Sequence, residues 1–494
     1  MMFKGKKVLV FGLGLLGGGV ATASWLLDRG AFVTVTDLKD ETALAPSLAK
    51  LRAQVRTGAR DGREYEDRQA RLAFALGGHS EDLIRAHDII MVNPDVPAAS
   101  PYLQTARRLG KRVLNEAEVF YSLYRGTTVG VTGTRGKTTT VNWISHLLGG
   151  QKKAGIAGNA TAHPFLAAVG KRIQPPRYVT ELPSFLLEHF TKAPDIAVIT
   201  NLYPDHLNRY DGIGGYARTK AAVFQRQTAN GKLILNADDA WTSFFLKQKP
   251  QARVWLTASR PLTEGNGLYR DRGWLWLQKD GVAERVFELG DFESRRGAHQ
   301  VLNLMQALLV AHLSGASWSQ LAPRIKTLPD ISFRQEVVHA GSHLTVINDT
   351  CATSPDGAIV ALERWGGPNC ILIAGGTDLP TRQAGLRSGR QAGGLEFGVW
   401  AEAVKEHITP KNTLFLEGTA TIKMRRALKR AALGRRSYST LRTCLQAALK
   451  RAGVYANAVV LFSPGAKSFG LFKNEYDRGQ QFNSLVKELV RRGR

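Results

Sequence analysis

Val129-Gly130-Val131-Thr132-Gly133-Thr134-Arg135-Gly136-Lys137-Thr138-Thr139-Thr140 is a β-prone run that passes through glycines into a lysine, three hydroxyls and a helix-like stretch beginning near Val141. A corner of this kind can hold a nucleotide triphosphate. Backbone N–H groups of the glycine turn and of the following helix N-terminus cradle phosphate oxygens, a lysine neutralises them, and a hydroxyl serves Mg²⁺. Lys137 and Thr138 fill the last two roles, with Gly133, Thr134, Gly136 and Thr139 completing the loop. A strict Walker loop requires glycine five positions before Gly136, and that position is Val131, so this is the shorter Gly-Thr-Arg-Gly-Lys-Thr form. The bland alternative is an ordinary strand-turn-helix corner. Either way the strand and helix make this an α/β unit.

Downstream, Tyr178-Val179-Thr180-Glu181-Leu182-Pro183-Ser184-Phe185 places Glu181 at the end of a short strand. Ala197-Val198-Ile199-Thr200-Asn201-Leu202-Tyr203-Pro204-Asp205-His206 is expected to do the same for Asp205 and His206. Both sets then point off the sheet edge that carries the phosphate loop, where a carboxylate and an imidazole make a plausible Mg²⁺ shell. Lys220, on a helical pattern, reads from the residues alone as a solvated surface lysine. Trp274-Leu275-Trp276-Leu277 reads as a hairpin whose aromatics belong to the core.

Upstream, Lys7-Val8-Leu9-Val10-Phe11, Gly12-Leu13-Gly14-Leu15-Leu16-Gly17 and Phe32-Val33-Thr34-Val35-Thr36-Asp37 form a βαβ pattern with a glycine-rich first turn and a later acid. Those residues alone suggest a dinucleotide site, although any diphosphate suits such a turn. Asp88 to Pro97 reads as a buried strand ending in a proline-bounded loop that includes Asn93. Beyond residue 333, Leu344 to Asp349, Cys370 to Asp378 and Val459 to Ala466 are strands with polar or glycine exits, implying another parallel sheet with its own ligand edge.

The chain has 494 residues, 44% hydrophobic and 22% charged, too many for one core. We divide it at 1–124, 125–332 and 333–494. No apolar run reaches the roughly 18 residues a membrane helix needs, and the N-terminus lacks an export signature, so a cytoplasmic protein is expected. The three cysteines, Cys351, Cys370 and Cys444, are too widely spaced to suggest a disulfide framework or zinc site. Net charge is +26, a field that draws anionic ligands. The run Lys423-Met424-Arg425-Arg426-Ala427-Leu428-Lys429-Arg430 with Arg435-Arg436 reads first as a solvated helix face, and contact with nucleic acid or membrane is not favoured.

The phosphate loop, Gly158-Asn159, Glu181-Leu182-Pro183-Ser184-Phe185, Asp205-His206-Leu207-Asn208-Arg209-Tyr210, Lys220, Asn236-Ala237-Asp238-Asp239, His299 to Asn303 and Asn348-Asp349-Thr350 follow one another in the order seen in Mur ligases. The chain resembles that family over nearly its whole length. The opening glycine turn and the closing Ser463-Pro464-Gly465-Ala466-Lys467-Ser468-Phe469, Phe472-Lys473-Asn474-Glu475 and Arg478-Gly479 look most like its D-glutamate-adding branch.

The resemblance implies three α/β domains: a Rossmann-like UDP-substrate domain, a central P-loop ATPase domain and a C-terminal Rossmann-like domain for the amino acid. It also implies amide formation between UDP-N-acetylmuramoyl-L-alanine and D-glutamate through an acyl phosphate, with ATP and Mg²⁺, by a monomer with no obligatory protein partner. By resemblance, Lys137 holds the β/γ-phosphates, Thr138 and Glu181 serve one Mg²⁺ and His206 a second. Lys220 matches a lysine that the family carbamylates into a metal ligand. Asn159 contacts the transferring region, Asn303 the adenine side, and Arg334 and Asp349 phosphate and ribose. Leu15, Leu16, Asp37 and Asn93 fall to the UDP substrate, which displaces the dinucleotide reading, while Thr353, Ser468 and Phe469 fall to the amino acid.

Some positions depart from the family pattern. Arg135 replaces the usual asparagine, Cys351 replaces a lysine, and the lysine expected after Gly375-Gly376 is missing from Asp378-Leu379-Pro380. Lys467 or Arg382 is the candidate replacement for that charge. The nearest rival is a Mur-type or folylpolyglutamate-type ligase for another amino acid. A nicotinamide-dependent oxidoreductase rests on the first βαβ unit alone, and a nucleic-acid-binding NTPase on the charge alone.

Overall fold

The computed structural model describes residues 2–15, 17–158, 163–205, 209–378, 395–429 and 437–491. The chain divides into two compact units, residues 1–328 and 329–494, four residues from the boundary expected at 332. Among the described residues the strands form three sheets.

In the first sheet the order is Leu72–Leu76, Phe32–Asp37, Lys7–Phe11, Ile89–Val92 and Arg112–Leu114, with all pairs parallel. Val8, Leu9, Val10 and Phe11 are at most 1% exposed, as expected of a strand covered on both faces. The strand expected over Asp88 to Pro97 is confined to Ile89–Val92, and Asn93 begins the loop.

The second sheet runs Val282–Glu288, Trp274–Lys279, Asn266–Asp271, Arg253–Ala258, Lys232–Asn236, Ile196–Ile199, Thr127–Thr132, Arg177–Glu181 and Gly155–Ala157. Its first three strands pair antiparallel, and the remainder are parallel. Thr127–Thr132 lies between two strands that come later in sequence, at a point where connections leave in opposite directions. In open α/β sheets that is where ligands bind. The hairpin around Trp274 is present, but its tryptophans are not core: alternation buries Leu275 and Leu277, while Trp274 and Trp276 are half-buried on the other face. There the Arg285 guanidinium lies 5.0 Å from the Trp274 ring and 5.9 Å from the Trp276 ring.

The second unit carries the third sheet, Glu336–Ala340, Leu344–Asn348, Ala458–Phe462, Cys370–Gly375, Thr413–Leu416 and Ser437–Tyr438. The expected parallel strands are there, with Glu336–Ala340 added antiparallel at one edge. Lys423 to Leu428 of the basic run lie in the helix Thr419–Leu428, with Ile422, Lys423 and Arg426 on its exposed side, while Arg430, Arg435 and Arg436 lie outside the described residues. Among the described residues no helix is long and apolar enough to cross a membrane.

Candidate active site

The phosphate loop connects Thr127–Thr132 to the helix Lys137–Leu147. Gly133 and Gly136 have φ of 137° and 81°, in the region where a side chain is strained. A Cβ at either would also collide, with the Thr200 hydroxyl at Gly133 and with the Asn303 amide at Gly136. The loop is held from the neighbouring strand exit: Thr134 N–H donates to Asn201 O at 3.0 Å and Arg135 N–H to Asn201 Oδ1 at 2.8 Å. The buried Thr134 hydroxyl bridges both backbone groups of Tyr203. Asn201 was not singled out from the sequence, and its position two residues past a strand end was the available signal.

Strand register sets Glu181 beside Val131 and Ile199 beside Thr132, so three strand ends meet at the loop. The Thr138 hydroxyl donates toward both Glu181 carboxylate oxygens at 3.0 and 3.2 Å. Asp205 is not at a strand end, because that strand stops at Ile199. The following loop nevertheless returns it to the site, where its carboxylate meets the Arg135 guanidinium at 3.2 Å. Lys137 Nζ folds onto its own loop, donating to Gly133 O and Thr134 O at 3.0 Å each. Asn303 packs on Gly136 and accepts from the Thr140 hydroxyl at 3.4 Å, which places it at the helix start. Thr139 is buried beneath the loop. His206 and Asn159 lie outside the described residues.

Lys220 is where the residue-level reading fails. It is 1% exposed, not solvated, on the helix Gly212–Ala221. Its Nζ donates to Gly133 O at 2.8 Å and lies 4.4 Å from the Tyr216 ring centroid. Burial, reinforced by the charge of Lys137, holds the amine well below the usual lysine range. A neutral amine is a nucleophile, and an ammonium is not. The periodicity of the helix places Lys220 near Tyr216 and Ala217, both buried, and that was the missed signal.

In the first sheet the glycine turn is closed by an internal acid. Asp37 Oδ2 accepts from Leu13 N at 2.9 Å and Gly14 N at 3.0 Å. Asn93 Nδ2 donates to Gly12 O at 3.2 Å, and Leu15 is 55% exposed beside them. Leu16 lies outside the described residues.

In the second unit, buried Asp349 accepts from the Ser463 hydroxyl at 2.7 Å and from Gln335 N–H at 3.1 Å. Burial pushes its carboxyl up to about 7 against those two bonds and the charges of Arg334 and Arg364. Phe333 and Gln335, on either side of Arg334, both have positive φ, 66° and 51°, a backbone strain that fixes the direction of the segment. Arg478, 1% exposed, donates to Thr350 Oγ1 and O at 2.8 Å and to Ala466 O at 3.2 Å, tying two strand-exit loops together. The Ser468 hydroxyl is buried without a hydrogen-bond partner among the described residues, Phe469 is half exposed, and Thr353 is half-buried. Cys351 is half-buried, and desolvation pushes its thiol up to about 11, which disfavours the thiolate. Arg382 lies outside the described residues, whereas Lys467 is half-buried, its backbone paired with Thr377.

The family model for the Mur ligase middle domain matches residues 131–311, and that for the MurD-like N-terminal domain matches residues 6–115. Full-length relatives include the UDP-N-acetylmuramoylalanine–D-glutamate ligase of Roseiflexus sp. (strain RS-1), 32% identical over 99% of this chain and 100% of that protein. The enzyme of the same name from Acidobacterium capsulatum is 31% identical over 100% of this chain and 98% of its own. Among solved structures, MurC from Thermotoga maritima covers 98% of this chain and 99% of its own at 18% identity, TM-score 0.53. MurF from the same organism, in complex with ADP, covers 98% of both chains at 14% identity, TM-score 0.51. These structures share the fold.

Proposed function

The chain belongs to the Mur ligase family, and from that premise we propose that it is an ATP-dependent ligase joining D-glutamate to UDP-N-acetylmuramoyl-L-alanine in peptidoglycan precursor synthesis. The observation that carries the chemistry is the convergence on one loop: Lys137 and Lys220 both donate to Gly133 O, and Thr138 meets Glu181.

In this reading the alanyl carboxylate attacks the γ-phosphorus of ATP, the Pβ–O–Pγ bridge breaks, and ADP leaves an acyl phosphate. The amine of D-glutamate then attacks the acyl carbon, loses a proton, and expels phosphate. Both steps spread negative charge over phosphoryl oxygens, so fixed cations and amide donors supply most of the stabilisation. Lys137 swings from the loop carbonyls to the β/γ-phosphates, while the amides of Gly136 to Thr139 cradle them. Asn159 contacts the transferring region, and Asn303 braces the turn on the nucleotide side.

The oxygen-rich pair Thr138 and Glu181 fits a Mg²⁺ ion, which prefers hard ligands, and His206 with Lys220 serves a second. Mg²⁺ when bound neutralises the developing charge. Among the described residues no cluster of three or more acidic, cysteine or histidine side chains stands ready for a metal. A carbamate on Lys220 would add an oxygen ligand to Thr138, Glu181 and His206. The carbamate forms when the neutral amine adds to CO₂ and the nitrogen gives up a proton to solvent, which turns the amine into an anionic oxygen ligand.

Residues 1–124 then hold the UDP substrate through Leu15, Leu16, Asp37 and Asn93, residues 125–332 hold ATP, and residues 333–494 hold the amino acid. Arg334 and Asp349 serve phosphate and ribose, while Thr353, Ser468 and Phe469 serve D-glutamate. The Ser468 hydroxyl, buried and unpartnered among the described residues, is available for that contact. The protein acts in the cytoplasm as a monomer. Wild-type protein given ATP, Mg²⁺ and UDP-N-acetylmuramoyl-L-alanine with hydroxylamine in place of D-glutamate should yield the substrate hydroxamate. ADP production without any hydroxamate would contradict the acyl-phosphate route.

A further inference from the structure

Arg209 follows His206 by three residues and connects the two sheets of the first unit. Its Nε and Nη2 grip both oxygens of Glu188, at 2.5 and 3.0 Å, with side-chain exposures of only 12% and 5%. The remaining donors reach back to the carbonyls of Asp95 and Val96, at 3.4 and 3.1 Å. Glu188 also accepts from Ala98 N–H at 2.9 Å, and the guanidinium lies 4.5 Å from the Phe185 ring.

Each end of this clasp leads to a substrate group. Asp95 and Val96 stand in the loop that leaves strand Ile89–Val92, whose Asn93 bonds the first glycine turn. Glu188 closes the helix Ser184–Leu187, which begins three residues after Glu181. Arg209 and Glu188 both follow the Glu181 strand end, and their bonds to Asp95 O, Val96 O and Ala98 N–H carry the connection across to the loop beside the turn assigned to the UDP moiety.

A buried ion pair adds little stability over an apolar pair of similar volume. A bidentate fork does fix direction, which an apolar contact does not. The same loop is also held by Arg107, which donates to Ala98 O at 3.0 Å and pairs with His189 Nδ1 at 3.1 Å. The Arg209 clasp is thus not what keeps the two sheets together.

Resting on the function proposed above, we infer that Arg209 is a positioning residue. Paired with Glu188, it fixes the 93–98 loop against the Glu181 strand end, and so sets the span that delivers the substrate carboxylate to the γ-phosphorus. It touches neither ATP nor the reacting atoms.

Two variants test this, R209K and the apolar pair R209M/E188L. In R209K, kcat for phosphate release with UDP-N-acetylmuramoyl-L-alanine and D-glutamate should fall about a hundredfold, the scale of a misplaced reactant, with ADP affinity unchanged within about twofold. The double variant should recover the melting temperature of the wild type and not its kcat. The inference is overturned if R209K keeps kcat within about threefold, if ADP affinity falls in step with kcat, or if kcat returns with stability in R209M/E188L. A wild type inactive on this substrate would defeat the proposed function and this inference with it, whereas an active wild type with an unimpaired R209K defeats this inference alone.

Discussion

The first unit contains two glycine turns with one local recipe and opposite electrostatics. Both follow a buried parallel strand and open a helix, and both place glycines at positive φ. In the turn after Phe11, the amides of Leu13 and Gly14 are already satisfied by the Asp37 carboxylate. In the turn after Thr132, the amides of Thr134 and Arg135 are held by neutral acceptors of Asn201, and two lysine ammonium or amine groups lie on the loop. A turn that carries its own anion repels a phosphate from those amides, and a turn that bears the Lys137 ammonium attracts one. Glycine spacing thus sets the shape of a site, and the group occupying its amides sets its ligand.

The difference makes graded predictions. Lys137→Ala should reduce kcat at least about a thousandfold, as loss of a principal charge stabiliser does, with UDP-substrate affinity intact by calorimetry. Retained turnover would mean that the second turn is not the phosphate site. Lys220→Ala should cost about a hundredfold or more, partly restored by added acetate, whose oxygens replace the carbamate. Recovery with methylamine and not with acetate would point instead to a cationic Lys220.

At the first turn the effect is smaller. Asp37→Asn puts a weaker, neutral acceptor in place of the carboxylate that holds the amides of Leu13 and Gly14, so the turn loosens and KM for the UDP substrate should rise about tenfold while KM for ATP stays the same, and NADH should not bind either protein. NADH binding to the wild type would restore the dinucleotide reading that the first turn suggests by itself.

The second unit has an internal acid of another kind, one whose carboxyl burial pushes far above the usual carboxylate range. The folded-state pKa of Asp349, about 7, is raised above the unfolded value near 4. Its stabilising contribution is therefore full below about pH 4 and is lost as pH rises toward 7, with a slope approaching about 1.4 kcal/mol per pH unit. Melting of wild type and Asp349→Asn across that range should show a slope in the first that is absent from the second, and parallel curves would refute the assignment.

Much of this was legible from local chemistry. The phosphate loop, the strand ending at Glu181 and the parallel sheets follow from glycines, apolar runs and their exits. Lys220 was only faintly legible: its spacing from Tyr216 and Ala217 hints at a buried side, but a lysine on a weakly amphipathic helix reads as solvated until the fold shows its bond to Gly133 O. Asp205 sits six residues past its strand, returned by a loop whose path no periodicity encodes. Trp274 and Trp276 misled because their size suggests burial, while strand alternation gives the core side to Leu275 and Leu277. The Asp37 contacts escaped because an acid at that spacing is equally expected in a ribose-binding site.

In the proposed reaction ATP held at the second turn transfers its γ-phosphoryl group to a UDP-linked carboxylate, and D-glutamate then displaces the phosphate. Phosphate release by the full-length protein with ATP, Mg²⁺ and UDP-N-acetylmuramoyl-L-alanine, measured across a panel of D- and L-amino acids, tests it directly. The account predicts strong stimulation by D-glutamate and little by the others. Stimulation by a different amino acid, with none by D-glutamate, would contradict it.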